Sequence, residues 1–207
     1  MLQTDRPNKL SETLSEEWFL EVVRGILNHD DRGLVRWYAA QVLSEVRDNR
    51  AVLALTNALN DEHEQVQAEA AVALAKLRAG EPVLIKALND DDSTVRSNAA
   101  STLGQFGDHR ALPALIKALN DDNNTVRDEA AQALGKLGNN RAVPALINAL
   151  KDDDGRVRLS AASTLGKLGD KRAIPALIET IGDDNQDIEI KFEVVKALLK
   201  LSRSTHK

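Results

Sequence analysis

"RALPALIKALNDDNNTVRDEAAQALGKLG", residues 110–138, is followed after two residues by "RAVPALINALKDDDGRVRLSAASTLGKLG", residues 141–169. The two stretches align without a gap, and their apolar residues, turn acids and one Arg keep register. Self-similarity at a fixed period of this length is the signature of a repeat architecture. Working outward, Val126 aligns with Val35, Val66, Val95, Val157 and Ile190. Leu134 aligns with Leu43, Leu74, Leu103, Leu165 and Leu198, and Leu137 with Val46, Leu77, Phe106, Leu168 and Leu201. All three columns advance by 31, 29, 31, 31 and 33 residues. Three columns moving together establish six copies of one unit.

Each unit reads as two helices. Pro113, Pro144 and Pro175 fall in the first turn of the first helix, where a missing N–H is harmless. Leu115, Ile116 and Leu119 then form one apolar stripe. An acidic turn follows, whose side chains can cap the second helix and favour its dipole. That second helix carries Val126, Ala130, Leu134 and Leu137 on one face and ends at Gly138. The glycines of "LGKLG" are read as helix terminators, and pairs such as Ala130-Ala131 as points of close helix approach. Such short pairs bury their apolar faces only by stacking. The expected fold is all-α, an α-solenoid of about six two-helix repeats in a right-handed superhelix. Repeats are placed at about 15–47, 50–78, 81–107, 110–138, 141–169 and 172–202, with flexible tails at 1–14 and 203–207.

Composition agrees. Of 207 residues, 43% are apolar and only 3% aromatic, so Leu, Val, Ile and Ala must build the core. Cysteine is absent, which removes disulfides and thiolate chemistry. No stretch approaches a membrane span, and the polar N-terminus lacks the apolar region of a signal peptide. The expected location is cytoplasmic. Net charge is −5 with no basic cluster, which argues against nucleic acid.

The pattern "RAVPALIxAL-xDDDxxVRxxAAxALGxLG" resembles HEAT-like repeats of the phycobilisome-lyase type, over roughly residues 16–202. The resemblance implies a structural ladder in which a turn acid pairs with the Arg of the second helix. The implied pairs are Asp31 with Arg36, Asp91 with Arg96, Asp122 with Arg127, and Asp153 with Arg158. Gln67 and Lys191 replace the Arg in repeats 2 and 6, where the ladder should be weakest. Members of the family mostly bind proteins and include phycobilin lyase subunits and phycobilisome-degradation factors. "VRWYAAQVL", residues 35–43, is similar to a stretch found in lyase subunits.

In such stacks the second helices line a concave surface. With the core centred on Val35, Ala39, Leu43 and Val46, Trp37 points away and Tyr38 to the flank. The outward row comprises Trp37, Tyr38, Gln41, Glu69, Ser97, Asn98, Ser101, Asp128, Glu129, Gln132, Leu159, Ser163 and Phe192, with Ala68, Val72, Ser160, Glu193 and Lys196 at equivalent positions. Its frame repeats while its side chains vary, as a recognition row requires. Trp37, Tyr38 and Phe192 are large rings on a polar row and so are candidate anchors. Two readings of Trp37 and Tyr38 stay open: partner contact, or packing against an N-terminal tail near Leu10 or Leu14. Trp18 and Phe19 are read as core or cap.

No catalytic constellation stands out. The four His occupy turns or the tail at no metal-ligand spacing. Phosphate-binding glycine loops and nucleophile elbows are missing. "DDDG" at 152–155 lacks the alternating ligands of a calcium loop and reads as a helix cap. No catalytic, cofactor or metal residue is therefore assigned. The expected function is a non-catalytic interaction scaffold that holds a protein partner, such as a basic or amphipathic helix, on the concave face. The alternative is a phycobilin lyase subunit, chromophore-handling chaperone or degradation factor acting on phycobiliproteins, the one case in which a bilin or an enzyme activity would be involved.

Overall fold

The computed structural model describes residues 9–77, 80–107 and 109–203, with side-chain environments from residue 17 onward. These residues form twelve α-helices and no strand, and divide into two compact units, residues 1–83 and 84–207. The first unit holds α1 (Lys9–His29), α2 (Gly33–Val46), α3 (Val52–Ala58) and α4 (Glu64–Ala75). Helix α5 (Gly80–Ala87) spans the division. The second unit continues with α6 (Ser93–Phe106), α7 (Leu112–Ala118), α8 (Asn124–Leu137), α9 (Val143–Ala149), α10 (Gly155–Leu168), α11 (Ile174–Gly182) and α12 (Ile188–Arg203).

Six two-helix repeats are therefore present, with even-numbered helices as the second of each pair. The first helices are shorter than the sequence suggests. Arg50-Ala51 and Arg141-Ala142 lie in 3-10 turns preceding α3 and α9. Asp48, Asn139 and Asp170 cap three such turns by accepting from the Arg50, Arg141 and Arg172 N–H groups. Pro113, Pro144 and Pro175 then occupy the first turns of α7, α9 and α11. The tail expected over 1–14 is helical from Lys9, and Arg203 closes α12; residues 1–8 and 204–207 lie outside the described residues.

The first two core columns hold through the middle repeats, while the third is looser. Val66, Val95, Val126, Val157 and Ile190 are buried, as are Leu43, Leu74, Leu103, Leu134 and Leu165. Val35 and Leu198, their end-repeat equivalents, are half-buried, and Val46 and Phe106 are exposed. In α2 the buried face is Gly33, Arg36, Ala39, Ala40, Leu43 and Ser44, rotated from the expected stripe.

The glycines have two roles. Gly107, Gly138 and Gly169 terminate their helices with φ of 66–72°, and Arg47 takes the same left-handed conformation at 55° in the first repeat. Gly104, Gly135 and Gly166, by contrast, lie inside helices as spacers. A Cβ on Gly104 would fall 2.5 Å from Ala133 Cα, and one on Gly166 would fall 2.8 Å from Ala197 Cα. Gly135 faces Thr164, whose hydroxyl donates to the Ala131 carbonyl at 3.0 Å. Glycine, not only paired alanine, sets the close approach.

The ladder exists with its register shifted by one repeat. Arg127 donates to Asp152 through Nε and Nη2 (both 2.8 Å) and to Asp153 at 2.6 Å, all in the next turn. Its Nη1 meets its own turn through the Asp121 and Asp122 carbonyls. Arg96 repeats this with Asp121, Asp122 and the carbonyls of Asp90 and Asp91. Arg36 does so with Asp61, Glu62 and the Asp30 carbonyl. Arg158 ends the series on Gln186 and Asp187 while donating to the carbonyls of Asp152 and Asp153. The within-repeat pairs Asp31–Arg36, Asp91–Arg96, Asp122–Arg127 and Asp153–Arg158 are thus corrected: each Arg takes backbone oxygens at home and side chains next door. Gln67 keeps only the home half, donating to the Asp61 carbonyl at 2.7 Å.

Candidate partner-binding face

In the second unit, α6, α8, α10 and α12 pack one on the next through the small residues just described. This close spacing brings the outward residues of neighbouring helices within hydrogen-bond reach. Asp128 on α8 accepts from Ser160 on α10 at 2.5 Å and from Gln132 at 3.3 Å. Glu193 on α12 accepts from Lys196 at 2.6 Å. Burial opposes ionisation of Glu193, but the hydrogen bonds from Lys196 and Ser163 outweigh it and hold its carboxyl below the usual range. The row is therefore partly cross-linked, with Asp128, Gln132 and Ser160 in one group and Ser163, Glu193 and Lys196 in another. Ser160, Glu193 and Lys196 are on the outward row read from sequence, but their bonds are not legible there, since nothing in one repeat shows which outward residues meet across two.

Other members are less connected. Ser97 donates to the Thr94 carbonyl in its own helix at 3.0 Å. Asn98, Ser101, Glu129 and Leu159 are half-buried, and the buried Nδ2 of Asn98 lacks a hydrogen-bond partner. Phe192 is 66% exposed, with Lys196 Nζ 5.6 Å from its ring centre.

The first unit carries Trp37, Tyr38, Gln41 and Glu69. Tyr38 is exposed, whereas Trp37, read as pointing away from the core, is half-buried. Their rings lie 4.8 Å apart at 60°, so the two form one aromatic step. The side chains of Leu10 and Leu14, proposed as cover for Trp37, lie outside the described residues. Trp18 and Phe19 are exposed on α1, not part of the core. Glu69 is half-buried, and burial, with Glu45 nearby and against the pull of Lys76, raises its carboxyl above the usual range.

The turns between paired helices are spent on the ladder. Open clefts of about 520 Å³ beside Arg36 and Asp61, and about 470 Å³ beside Asp152 and Arg158, are lined by ladder residues such as Arg36, Asp61 and Arg158, which are paired within the fold. Among the described residues, no group of three His, Asp or Glu is arranged to hold a metal ion, and no helix is long and apolar enough to cross a membrane.

The HEAT-repeat family model matches residues 20–83, 55–135 and 112–199. The chain belongs to the HEAT-repeat family. Among curated proteins, this HEAT-repeat chain is similar to the phycocyanobilin lyase subunit alpha of Picosynechococcus sp. (strain ATCC 27264 / PCC 7002 / PR-6). The two are 37% identical over 111 residues, 48% of this chain. That match spans only 41% of the relative's length. Among solved structures, the complex of CpcE and CpcF of phycocyanin lyase from Nostoc sp. PCC7120 superposes with a TM-score of 0.65. Sequence identity there is 24%, over 73% of this chain and 99% of that one. A designed armadillo repeat protein in complex with the peptide (KR)4 gives a TM-score of 0.56 at 22% identity, covering 88% and 99% of the two chains. These structural likenesses show the α-solenoid class of fold.

Proposed function

We propose that the chain is a non-catalytic protein-binding module whose partner lies along the second-helix row. The observation that carries this reading is the division of labour between its turns and its second helices. The turn acids and arginines are consumed in the ladder, whereas Asp128, Glu129, Gln132 and Glu193 stand on the repeating second-helix frame. A preformed row loses little conformational entropy on binding. The acidity of the second unit's row suits a basic or amphipathic helix, and the first unit's own row offers the Trp37–Tyr38 step as an apolar anchor.

A pull-down from source-cell lysate, read by mass spectrometry, tests this. The variants are Asp128→Lys/Glu129→Lys and Trp37→Ala/Tyr38→Ala, each checked by circular dichroism. A partner captured by wild type and lost from both folded variants supports the row. Equal capture by all three chains excludes it.

A second reading is favoured by the 37% identity to a phycocyanobilin lyase subunit. Here the partner is a phycobiliprotein, and the chain acts as one subunit in bilin attachment or handling. Co-expression with an apo-phycobiliprotein and bilin synthesis would reveal it as chromophore bound only when this chain is present.

A further inference from the structure

The last helix carries an apolar stripe that its own fold leaves uncovered. Ile190, Val194, Ala197 and Leu201 face the second unit and are buried. Ile188, Phe192, Val195 and Leu199 lie on the other side and are 79%, 66%, 39% and 52% exposed. Their spacing of 4, 3 and 4 residues is that of a coiled-coil seam.

Comparison with the other repeats shows what this face is for. The counterparts of Val195 are Ala40, Ala71, Ala100, Ala131 and Ala162, all fully buried. The counterparts of Leu199 include the spacer glycines Gly104 and Gly166, which admit the backbone of the next helix, and Gly135, which admits Thr164. In α12 these small residues become Val and Leu, so another tightly stacked repeat does not fit. A helix at the wider separation of a coiled coil, about 8–10 Å, does.

We propose that this stripe is a self-association surface, on which two copies of the chain pair through antiparallel α12 helices about a two-fold axis. The charges beside the stripe select both occupant and orientation. Glu189 and Lys196 are seven residues apart and share one flanking position. In an antiparallel pair, Glu189 of each copy faces Lys196 of the other, giving two symmetry-related ion pairs. A parallel pair would instead set Lys191 against Lys196. The position of Lys196 beside the Phe192 ring places this charge at the edge of the seam. The interface is one helix of 16 residues, about 24 Å long, so the dimer is weak and reversible, in the micromolar range expected of a small interface. The proposal is independent of the partner-binding reading, and assigns Phe192 to the second copy instead of to the partner.

Sedimentation equilibrium of the full chain, from low micromolar to several hundred micromolar, tests it. The expected result is a monomer–dimer equilibrium. Phe192→Asp should abolish it while leaving the circular dichroism spectrum unchanged. Glu189→Lys and Lys196→Glu should each weaken the dimer about tenfold, and the double variant should restore it. A monomer at all concentrations overturns the proposal. So does a ladder of higher oligomers, the signature of head-to-tail contact, or a dimer indifferent to Phe192→Asp. Single swaps that are not rescued in the double variant overturn the antiparallel register.

Discussion

Replacing Arg127 by Met removes one rung of the ladder and keeps most of the side chain's volume. Five hydrogen bonds disappear, three to carboxylates and two to carbonyls. The partner that matters is Asp152, whose side chain is 10% exposed, against 90% for Asp153. Removing one partner of a buried ion pair costs about 3–5 kcal/mol because the other charge is stranded. Asp152 keeps the Asp154 N–H at 2.9 Å and lies near the surface, so the expectation falls below that range, at about 2–3 kcal/mol. Asp152→Asn should cost a similar amount and Asp153→Asn less than about 0.5 kcal/mol, as an exposed pair does. Arg158→Met should cost about half as much as Arg127→Met, since its Nε partner is the neutral Gln186 and its Asp187 contact is 3.3 Å. Urea unfolding at neutral pH gives the ordering. Amide exchange in α8 and α10 localises the loss, which matters because repeats need not unfold in one step. The reasoning fails if Arg127→Met lies within 0.5 kcal/mol of wild type, or if Asp153→Asn is as damaging as Asp152→Asn.

Further outcomes follow from individual residues. Burial alone would raise the carboxyls of Asp61, Asp121 and Asp152, but hydrogen bonds from Arg36, Arg96 and Arg127, together with turn N–H groups, hold them below 3.8. Their contribution is complete above the unfolded value and lost as pH falls through the lower folded values. The urea midpoint should therefore drop steadily below about pH 5, and a flat profile would contradict this. Gly25→Ala, in open space within α1, should raise stability by about 0.5–1 kcal/mol through helix propensity. Gly166→Ala should lower it by about 1–2 kcal/mol, because the new methyl meets the Ala197 backbone and overpacking exceeds the propensity gain; thermal melts of both variants decide. Arg47→Gly relieves a left-handed non-glycine residue and should stabilise by about 1 kcal/mol by urea titration.

The helix pairs were legible because Val126, Leu134 and Pro113 recur in columns, and a helix fixes what each column means. The ladder partner was not. Asp153 lies five residues before Arg158 and 26 after Arg127, and proximity in sequence favours the wrong Arg. In the folded chain the turn side chains also cap the next helix, as Asp154 does for the Arg156 N–H, while the long guanidinium reaches the following repeat. Gly135 and Gly138 look alike in sequence, yet one admits Thr164 and the other supplies a positive φ. Val35 matched a core column but is half-buried, because α2 turns Gly33, Arg36, Ala39, Ala40, Leu43 and Ser44 inward instead. The recognition row was legible as positions. Its internal bonds, such as Asp128 to Ser160, depend on helix spacing that no single repeat encodes.

The shifted rung bears on how such a chain can change length. Because each Arg is completed by the following turn, the ladder belongs to the junctions and not to any one repeat. Deleting one full period from the second unit, for example residues 124–154, joins a turn that still serves Arg96 to a helix whose Arg158 still finds Gln186 and Asp187. Gly104 would then meet Thr164 in place of Ala133, a contact of the kind Gly135 already makes. Any breakpoint separated by a whole period is equivalent. Unequal recombination can therefore add or remove repeats while every surviving arginine keeps both halves of its bonding.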